Sequence, residues 1–416
     1  MDHRTDGGPT IWSAARIPRP AKAARLAVPA ALAVAAALAL VLVGLLAVPA
    51  IAADRDGDGL RDHWEERWGV TDPDRRDSDG DGVVDSVEDL DHDHLGNLGE
   101  QRFGTDPADP DSDGDGILDG NEDSDGDGRR DAREQDQRPV PRDLRPTLAQ
   151  AQADHPVDKA RCVESDTGSH LRRCVFGDAD SETRIVLMGD SHALMWLPAF
   201  RRSVEQEGWR LTTLIKGGCT PALRTRTLGQ HGIDRGRSCR QWRSKAIVWL
   251  SDHPQDLIVI AHSDGYPLVD SKGKRLPKRE ALKLWRKGME ATLAALPDPS
   301  KALLLGDGPR NDEHAPKCLM QHRSNMSACT PRRLSRSKRI VETALREAAL
   351  AQGAQHRTLY RVVCTYDPCP VVHDDVMVWR DRSHLTKTLS RRLTPSIRRM
   401  LRDAIADAEA IDVRPS

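Results

Sequence analysis

The chain has 416 residues, enough for two or three folded units, of which 38% are hydrophobic and 30% are charged. Its net charge of −2 hides an asymmetry, because residues 54–136 contain 24 Asp and 6 Glu but 9 Arg and no Lys. That segment carries −21, which leaves +19 for the remainder. The division excludes one uniformly charged domain and indicates two units with different partners, among which we expect no nucleic acid.

An apolar segment near the N-terminus determines the expected compartment. Residues 26–53 contain no charge and are long enough to cross a hydrocarbon core of ~30 Å. Ala50-Ile51-Ala52 matches a signal-cleavage pattern, so an uncleaved single-span anchor and a cleaved signal peptide both stay open. The positive-inside rule keeps residues 1–25 in the cytoplasm. The bulk of the chain is then extracytoplasmic, held at the cell membrane or secreted. A cluster of cations lies directly before the apolar segment: Arg16, Arg19, Lys22 and Arg25.

Five twelve-residue patterns of the form DxDxDGxxDxxE follow, at 54–65, 77–88, 89–100, 111–122 and 123–134, and we call them loops 1 to 5. Loop 3 departs from the pattern with His94 at position 6 and Asn97 at position 9. The candidate metal ligands are Asp54, Asp56, Asp58, Asp62 and Glu65 in loop 1; Asp77, Asp79, Asp81, Asp85 and Glu88 in loop 2; Asp89, Asp91, Asp93, Asn97 and Glu100 in loop 3; Asp111, Asp113, Asp115, Asp119 and Glu122 in loop 4; and Asp123, Asp125, Asp127, Asp131 and Glu134 in loop 5.

This spacing has a chemical reason. Alternate residues of a tight loop direct oxygens to one centre, Gly at position 6 allows the sharp turn, and Glu at position 12 can add two oxygens. Ca²⁺ takes six to eight such ligands, whereas unpaired carboxylates would repel each other and stay disordered. We therefore expect structural calcium in these loops and no cofactor for catalysis; an acidic solvated linker is the alternative. Loop 3 is expected to depart most from this binding mode, because His94 replaces the Gly at position 6.

The acidic segment resembles thrombospondin type 3 repeats over residues 54–136. The connecting phrases Gly69-Val70-Thr71-Asp72-Pro73 and Gly104-Thr105-Asp106-Pro107 belong to the same resemblance. It implies an irregular, calcium-bound spacer that buries little apolar surface and stiffens when the metal binds.

The remainder of the chain predicts an α/β domain at 158–416, after a polar, Pro-bearing linker at 137–157. Short apolar runs that alternate with helical patterns favour a mostly parallel sheet with helices on both faces. Ligands of such sheets bind beyond the carboxyl ends of the strands. The predicted strands are 185–188, 211–215, 257–261, 302–305 and 376–379, and the clearest helices are 280–296 and 333–351.

Two short motifs carry candidate catalytic residues. The first predicted strand ends in Gly189-Asp190-Ser191-His192, which places Ser191 where a helix begins and where developing negative charge is favoured. Asp381 and His384 are three residues apart, so on one helical turn the carboxylate can reach the imidazole and fix its tautomer. His384 can then accept the Ser191 proton and return it later.

All eight cysteines lie in this second unit. An exported chain enters an oxidising compartment, which favours disulfides over free thiols, and the lack of a CxxC pair argues against zinc. Eight cysteines allow 105 connectivities, so spacing alone does not fix the pairing. Sequential pairing would close the short loops Cys162–Cys174, Cys219–Cys239, Cys318–Cys329 and Cys364–Cys369.

The motifs together resemble the SGNH/GDSL hydrolase superfamily, and above all the SGNH domain that accompanies type 3 membrane acyltransferases of bacterial surface glycans. The resemblance implies a three-layer sandwich with Ser191 as nucleophile, His384 as base and Asp381 as the group that orients it. It also implies oxyanion donors in the backbone N–H groups of Ser191 and of Gly217 or Gly218. The shared phrases are GDSH at 189–192, GGCTP at 217–221, GDGP at 306–309, CPVV at 369–372 and DRSHLT at 381–386.

The family's chemistry implies an O-acyltransferase or O-acylesterase acting on acyl esters of cell-envelope glycan. A separate membrane acyltransferase would supply the acyl group, or the domain removes it. The alternative is a calcium-dependent adhesive or structural surface protein with an inactive SGNH head. Many superfamily members place an oxyanion Asn where this chain has His262-Ser263-Asp264. Since one lost donor costs ~3 kcal/mol in the transition state, either His262 or Ser263 substitutes or the domain is slow.

Overall fold

The computed structural model of the protein describes residues 53–156, 159–165, 167–227, 235–331 and 336–412. The predicted cytoplasmic segment, 1–25, and the predicted anchor or signal peptide up to residue 52 lie outside these ranges. Within the described ranges, no helix is both long enough and apolar enough to cross a bilayer.

The acidic segment is built mostly from turns, because its carboxylates accept the backbone N–H groups of their own loops. Asp77, for example, accepts from the N–H groups of Asp81 at 3.0 Å and Gly82 at 2.9 Å. A helical turn begins at position 9 of every loop. Loops 2 and 4 form 3₁₀ turns there, at Asp85–Val87 and Asp119–Asn121. Loops 1, 3 and 5 form the short helices α1 (Asp62–Trp68), α2 (Asn97–Phe103) and α3 (Asp131–Glu134).

Loop 3 has a strained backbone. Positions 4 and 6 are glycines with positive φ in the other four loops, but in loop 3 they are His92 at φ 69° and His94 at φ 91°. A side chain in this left-handed region costs roughly 1–2 kcal/mol. Loop 3 therefore departs from the glycine positions of the other loops at His92 as well as at His94.

The rest of the described chain contains an α/β domain built on a mostly parallel sheet. Its strands are β1 (Val163–Glu164), β2 (Arg173–Gly177), β3 (Arg184–Gly189), β4 (Arg210–Lys216), β5 (Leu257–Ala261), β6 (Ala302–Leu305), β7 (Gln355–Arg357), β8 (Val372–His373) and β9 (Val376–Met377). Among the described residues, the main sheet has the order β1-β4-β3-β5-β6-β7, with β2 also paired to β4. Only the β2–β4 pair of that sheet is antiparallel. β8 and β9 form a separate antiparallel hairpin.

Helices cover both faces of the sheet. They are α4 (Lys159–Cys162), α5 (Ser191–Glu207), α6 (Gly236–Asp252), α7 (Lys278–Leu293), α8 (Ala315–Gln321), α9 (Arg336–Leu350), α10 (Tyr360–Val363), α11 (Lys387–Arg392) and α12 (Thr394–Asp412). Successive residues of a strand point to opposite faces. Leu187 accordingly joins the core that contains residues of α5 and α12, whereas Met188 joins the core that contains residues of α6, α7 and α9. The result is the expected three layers.

Four of the five predicted strands, 185–188, 211–215, 257–261 and 302–305, form the centre of the sheet as β3 to β6. The fifth prediction is wrong. Of residues 376–379, only Val376–Met377 is a strand, and it pairs with β8 outside the main sheet. The sheet ends instead at β7, whose Gln-His-Arg sequence has no apolar run to predict it. The predicted helices 280–296 and 333–351 correspond to α7 and α9, except that residues 333–335 lie outside the described ranges.

Loop 2 packs directly on the α/β domain. Val83 and Val84 belong to the same buried cluster as Leu389 of α11 and Leu393, which follows it. A Cβ atom on Gly82 would lie 3.1 Å from the ring of Pro395, so the two backbones approach closely. The backbone carbonyl of Asp81 accepts the Ser396 hydroxyl, and Arg76 forms an ion pair with Asp374. The acidic segment is therefore more closely attached to the domain than a spacer would be.

Residues 137–156, the described part of the predicted linker 137–157, are also more ordered than a polar linker. The N–H of Arg145 donates to Asp375 at 2.7 Å, and the Arg145 carbonyl accepts from Met377 at 2.9 Å. Asp154 accepts both the N–H and the hydroxyl of Thr388 at 2.9 Å, near the start of α11. Ala151 is fully buried. This segment therefore packs against the hairpin and α11.

Candidate active site and candidate metal centres

Ser191 lies at a tight junction between β3 and α5. A Cβ atom on Gly189 would overlap the carbonyl oxygen of Ala261 on β5, so only glycine allows the strands to pair there. Asp190 caps the helix by accepting the N–H of His192 at 2.8 Å. Ser191 is therefore the first residue of α5, where backbone N–H groups have no partner within the helix.

Three side chains form a hydrogen-bonded series at this junction. The Nε2 atom of His384 lies 2.9 Å from Ser191 Oγ, and its Nδ1 atom lies 2.9 Å from Asp381 Oδ2. Burial alone would raise the pKa of Asp381, but hydrogen bonds from His384 and Ser383 hold that pKa well below its usual range. The arrangement gives Ser191 a proton acceptor and gives His384 a fixed negative partner.

Asp381 and His384 meet through a non-helical turn, so the helical turn expected from their spacing is wrong. Asp381 Oδ1 accepts the N–H groups of Ser383 at 2.8 Å and His384 at 2.9 Å. The N–H of Arg380 donates to the His384 carbonyl at 3.0 Å and closes the turn. The N–H of Asn311 donates to the Arg382 carbonyl at 2.9 Å. The carboxylate thus orders the backbone as well as the imidazole.

A second His–Asp pair, which the sequence analysis missed, lies beside the first. His192 Nδ1 bonds Asp307 Oδ1 inside the domain, and the His192 ring centroid is 4.8 Å from that of His384. Asp307 also accepts the N–H of Asp264 and the guanidinium of Arg310. Burial lowers the pKa of His192 to about 4. His192 is therefore neutral and adds no like charge next to His384. His192 and Asp307 belong to the family phrases GDSH and GDGP, so the sequence already marked both residues as candidates for the site.

The predicted oxyanion donors lie at the same edge of the sheet. Gly189 pairs with Ile215 of the parallel strand β4, so Gly217 and Gly218 leave their strand beside the junction that carries Ser191. Gly218 has φ 65°, and a Cβ atom there would overlap the guanidinium of Arg235. The buried Arg243 holds the following loop by donating to the carbonyls of Thr220 and Ala222.

His262 and Ser263, the two expected substitutes for the missing Asn, both contact neighbouring groups of the domain. His262 is buried with its ring against the edge of Trp285, at a centroid distance of 5.1 Å. The N–H of Ser263 donates to Asp190 at 3.0 Å, and its hydroxyl accepts from Arg310 and from the N–H of Gly265. Ser263 thus positions the junction below Ser191.

Asp190 is a fully buried carboxylate next to Ser191. It accepts N–H groups from His192 and Ser263. Burial, together with the nearby charge of Asp307, raises the pKa of Asp190 to about 7, while the two hydrogen bonds act in the opposite direction. This cap therefore titrates in the neutral range.

The eight cysteines pair in sequential order. Cys219–Cys239 joins the loop after Gly218 to α6, with Cα atoms 5.7 Å apart, and so links two sides of the candidate site. The carbonyl of Cys329 accepts the side-chain amide of Asn311 at 3.0 Å, and the backbone N–H of Asn311 donates to the carbonyl of Arg382 in the catalytic turn. The other pairs, with their Cα separations, are Cys162–Cys174 at 5.4 Å, Cys318–Cys329 at 5.7 Å and Cys364–Cys369 at 4.5 Å.

The carboxylates of the acidic loops converge as the spacing predicts. In loops 1 to 4, the carboxylates at positions 1, 3 and 5 offer oxygens that lie within 4.8 Å of one another. Loop 5 repeats the same backbone bonds, since the N–H of Asp127 donates to Asp123 at 3.0 Å and to Asp125 at 3.1 Å. The donor set consists of oxygens, which suits a hard cation such as Ca²⁺.

Position 12 provides the test of whether a cation fits. Glu65 and Glu100 are each 1% exposed. Both carboxylate oxygens of Glu65, and Oε1 of Glu100, are buried without a hydrogen-bond donor. Burial and neighbouring carboxylates raise the pKa of Glu65 to about 8 and that of Glu100 to about 9. Buried, mutually repelling carboxylates of this kind are stable as anions only with added positive charge, so a divalent cation fits the loops.

Position 9 differs from the simple expectation. In loops 2, 4 and 5 this Asp accepts both the N–H and the hydroxyl of the Ser at position 2, as Asp85 does from Ser78. It therefore braces its own loop. Asp119 of loop 4 also lies with Asp93 and Glu100 of loop 3 in one buried group of carboxylates. Loops 3 and 4 thus form a joint group, which the twelve-residue spacing alone did not predict.

Comparison with known proteins identifies the domain. The family described as "SGNH domain (fused to AT3 domains)" matches residues 161–399, more than half of the chain. No curated protein matches it. The periplasmic domain of a Salmonella ser. Paratyphi A lipopolysaccharide acetyltransferase is 16% identical, with TM-score 0.41, and covers 53% of this chain and 84% of its own. Est24, a carbohydrate acetylesterase from Sinorhizobium meliloti, is 13% identical, with TM-score 0.33, and covers 53% of this chain and 99% of its own. The assignment therefore rests on the sequence match.

Proposed function

Because the chain belongs to the SGNH domain family, we propose that it is an extracytoplasmic O-acyltransferase or O-acylesterase acting on acyl esters, acetyl esters foremost, of cell-envelope glycan. The observation that carries the proposal is the hydrogen-bonded series Ser191–His384–Asp381 at the carboxyl edge of the sheet. The disulfides agree with an oxidising compartment outside the cytoplasm.

The geometry supports acyl transfer through a serine ester. His384 Nε2 takes the Ser191 proton as Oγ attacks the ester carbonyl carbon, which gives a tetrahedral oxyanion near the start of α5. His384 then protonates the leaving oxygen, the C–O bond of the substrate breaks, and the acyl group stays on Ser191. Water or a glycan hydroxyl attacks that ester and gives its proton to His384. The bond between the acyl carbon and Ser191 Oγ then breaks, and His384 returns the proton to Oγ. Water makes the enzyme an esterase, and a glycan hydroxyl makes it a transferase.

Two features prepare His384 for this task. The low pKa of Asp381 keeps it ionised, so it stabilises the imidazolium that forms when His384 is protonated. The neighbouring His192 stays neutral and thus does not oppose that charge. For the transferase direction, we propose that a separate membrane acyltransferase delivers the acyl group to Ser191.

We also propose that the acidic loops bind structural calcium and that residues 26–53 hold the protein at the membrane or direct its export. The carboxylates at positions 1, 3, 5 and 12 would hold the ions, and the buried oxygens of Glu65 and Glu100 that lack hydrogen-bond donors support this assignment. Bound calcium supplies positive charge that lets these carboxylates ionise together. It has no role in the steps above.

Released acetate from acetylated cell-wall polysaccharide tests the enzymatic proposal. Ser191→Ala should abolish turnover because no acyl-enzyme forms, and His384→Ala should nearly do so. Asp381→Asn should leave some activity, since the base survives. The Ser191→Ala/His384→Ala pair should cost little more than the worse single change, because the residues act as a unit.

The exposed Ser251 on α6 provides a matched control, and Ser251→Ala should behave as wild type. A serine-directed phosphonate should label the wild type at Ser191 only. A wild type that neither turns over acyl esters nor reacts with the phosphonate would favour the alternative, a calcium-binding surface protein with an inert SGNH head.

A further inference from the structure

The loop after β5 continues into a short hairpin at residues 268–276. Its two arms pair where the N–H of Leu276 donates to the Leu268 carbonyl at 2.9 Å. One arm is also bonded to the chain before α6, since the N–H of Val269 donates to the Arg226 carbonyl at 3.0 Å. Backbone hydrogen bonds therefore fix the hairpin to the rest of the domain.

Both attachments of this hairpin lead to the candidate active site. At the end of β5, the N–H of Ser263 donates to Asp190, the residue before the nucleophile, at 3.0 Å. On the other side, Leu268 pairs with Thr227, whose hydroxyl contacts the carbonyl of Gly218 at 3.5 Å. Gly218 is one of the predicted oxyanion donors. The hairpin thus lies at the edge of the sheet that carries the nucleophile.

The hairpin and the first part of α7, residues 268–287, form what we call the basic surface. This segment contains eight Lys and Arg but two acidic residues, a net charge of +6. One of the acidic residues, Asp270, is engaged inside the hairpin, where it accepts the N–H groups of Lys272 at 2.8 Å and Lys274 at 2.9 Å. Apart from Arg286, the eight cations form no ion pair within the described ranges of the chain.

The charges on α7 do not stabilise the helix. Arg279, Lys283 and Lys287 are exposed and stand four residues apart, so they lie along one side of it. Like charges at this spacing destabilise a helix. α7 packs on the domain through other residues, such as the buried Trp285 and Met289. A bound anion would offset the repulsion among the three cations, whereas the fold gains nothing from them.

The occupant that this surface fits is a polymer with many negative charges. None of the exposed large apolar residues in the described part of the chain lies within 268–287, so the surface has no such side chain to insert into a membrane. Val83 of the acidic loop 2 belongs to the core cluster on one face of the sheet, whereas Trp285 belongs to the cluster on the other. Loop 2 therefore does not neutralise the basic surface.

We propose that the basic surface binds an anionic glycan, so that the acyl-ester substrate is a polymer bearing carboxylate or phosphate groups. Lys and Arg bind both groups. A field of one sign beside a site raises the local concentration of a substrate of opposite charge. The hairpin and α7 would hold the glycan while one of its acyl esters reaches Ser191, and no covalent step occurs on this surface. The inference rests on the proposed acyl-transfer function and names its substrate class.

Charge reversal by Lys272→Glu, Lys274→Glu and Arg275→Glu combined tests it in the full chain. The substrates are hyaluronan, which is anionic, and dextran, which is neutral, both chemically acetylated. For acetylated hyaluronan, kcat/KM should fall roughly tenfold through a raised KM. The values for acetylated dextran and 4-nitrophenyl acetate should stay within about twofold of wild type. Raising the ionic strength from about 0.1 M to about 1 M should remove the preference of the wild type for hyaluronan.

The matched control is Arg184→Glu, Arg202→Glu and Arg346→Glu combined, which changes the net charge by the same amount. These three residues are also exposed. Arg184 begins β3 and so lies at the amino edge of the sheet, and the other two lie in the second halves of α5 and α9. The control should leave the KM for acetylated hyaluronan unchanged.

Titration calorimetry with unmodified hyaluronan separates this inference from the proposed function. If no acetyl ester is turned over but the wild type binds hyaluronan and the reversal variant does not, the basic surface stands and the acyl-transfer function falls. Equal binding and equal KM in both proteins would overturn the inference, while turnover of acetylated dextran that depends on Ser191 would keep the function. A variant that loses binding only to phosphatidylglycerol vesicles would assign the surface to the membrane and also overturn the inference.

Discussion

Loops 2 and 4 share one sequence pattern but lie in different surroundings. In loop 2, Val83 and Val84 at positions 7 and 8 are 4% and 5% exposed. In loop 4, Ile117 and Leu118 at the same positions are 48% and 36% exposed. Both loops make the same bonds between carboxylates and backbone N–H groups. The pattern thus determines how each loop folds, whereas the surroundings determine whether other parts of the protein need that loop for their own stability.

What depends on loop 2 is the segment that follows His384. Thr386 caps α11 by accepting the N–H of Leu389 at 3.1 Å, and Leu389 is buried in the cluster that contains Val83 and Val84. Asp374 and Asp375 of the hairpin turn bind Arg392 at the end of α11. Loss of the loop 2 fold would therefore loosen the support of the catalytic turn. The exposed side chains of loop 4 give it no comparable influence.

Removal of calcium should have the largest effect, because it acts on both loops at once. An ion present at 100 times its Kd stabilises the folded state by about 2.7 kcal/mol, so loss of several ions should lower the unfolding temperature by roughly 10 °C or more. Calorimetry in EGTA, with calcium and with magnesium added back, measures this. Calcium should restore the transition and magnesium should not. An unchanged unfolding temperature in EGTA would exclude structural calcium.

Asp77→Asn, Asp79→Asn and Asp81→Asn combined should remove one ion and also weaken catalysis. The expected loss is about 3 kcal/mol of unfolding free energy at saturating calcium, with lower acetyl-ester turnover because α11 and the His384 turn lose support. Titration calorimetry counts the ions, and chemical denaturation gives the free energy. Wild-type turnover with one ion fewer would show that loop 2 is energetically separate from the site, despite the contacts of Val83 and Val84.

The stability of the protein should depend on pH through Asp190, which, unlike Glu65, is buried with hydrogen-bond donors. Asp190 has donors, yet burial still raises its pKa to about 7. A raised carboxyl pKa favours the folded state at low pH, and that contribution is lost as pH rises through the folded pKa. Relative to Asp190→Asn, the wild type should therefore lose about 2–3 kcal/mol of stability between pH 5 and pH 8. Denaturation at both pH values, in saturating calcium, measures it; a difference independent of pH contradicts the assignment.

The sequence predicts features that depend on nearby residues. The five loops, the start of α5 at Ser191 and the pairing of Asp381 with His384 each depend on short spacings, and the central strands on continuous apolar runs. The polar strand β7 gave no such signal, because neighbouring elements rather than its own composition stabilise it. The apolar run at 376–379 predicted a strand, but its composition did not show that this strand pairs in a separate hairpin.

Contacts between distant residues were beyond the reach of spacing. His192 and Asp307 meet across 115 positions, although both stand in recognised phrases. The attachment of loop 2 to α11 is of the same kind, since Val83 and Val84 fit the repeat pattern equally well whether buried or exposed.

The smallest effect is expected for Asp111→Asn, Asp113→Asn and Asp115→Asn combined. These residues lie in the exposed loop 4, and the change should remove one ion while acetyl-ester turnover stays within about twofold of wild type. The substitutions leave Asp119 unchanged, and Asp119 lies in the same group of carboxylates as Asp93 and Glu100 of loop 3. The site of loop 3 should therefore be retained, and the ion count should fall by one rather than two. Titration calorimetry and the acetate assay on the same protein decide the matter. A turnover loss equal to that of the loop 2 variant would end the contrast between the loops, and an unchanged ion count would remove loop 4 from the metal-binding set.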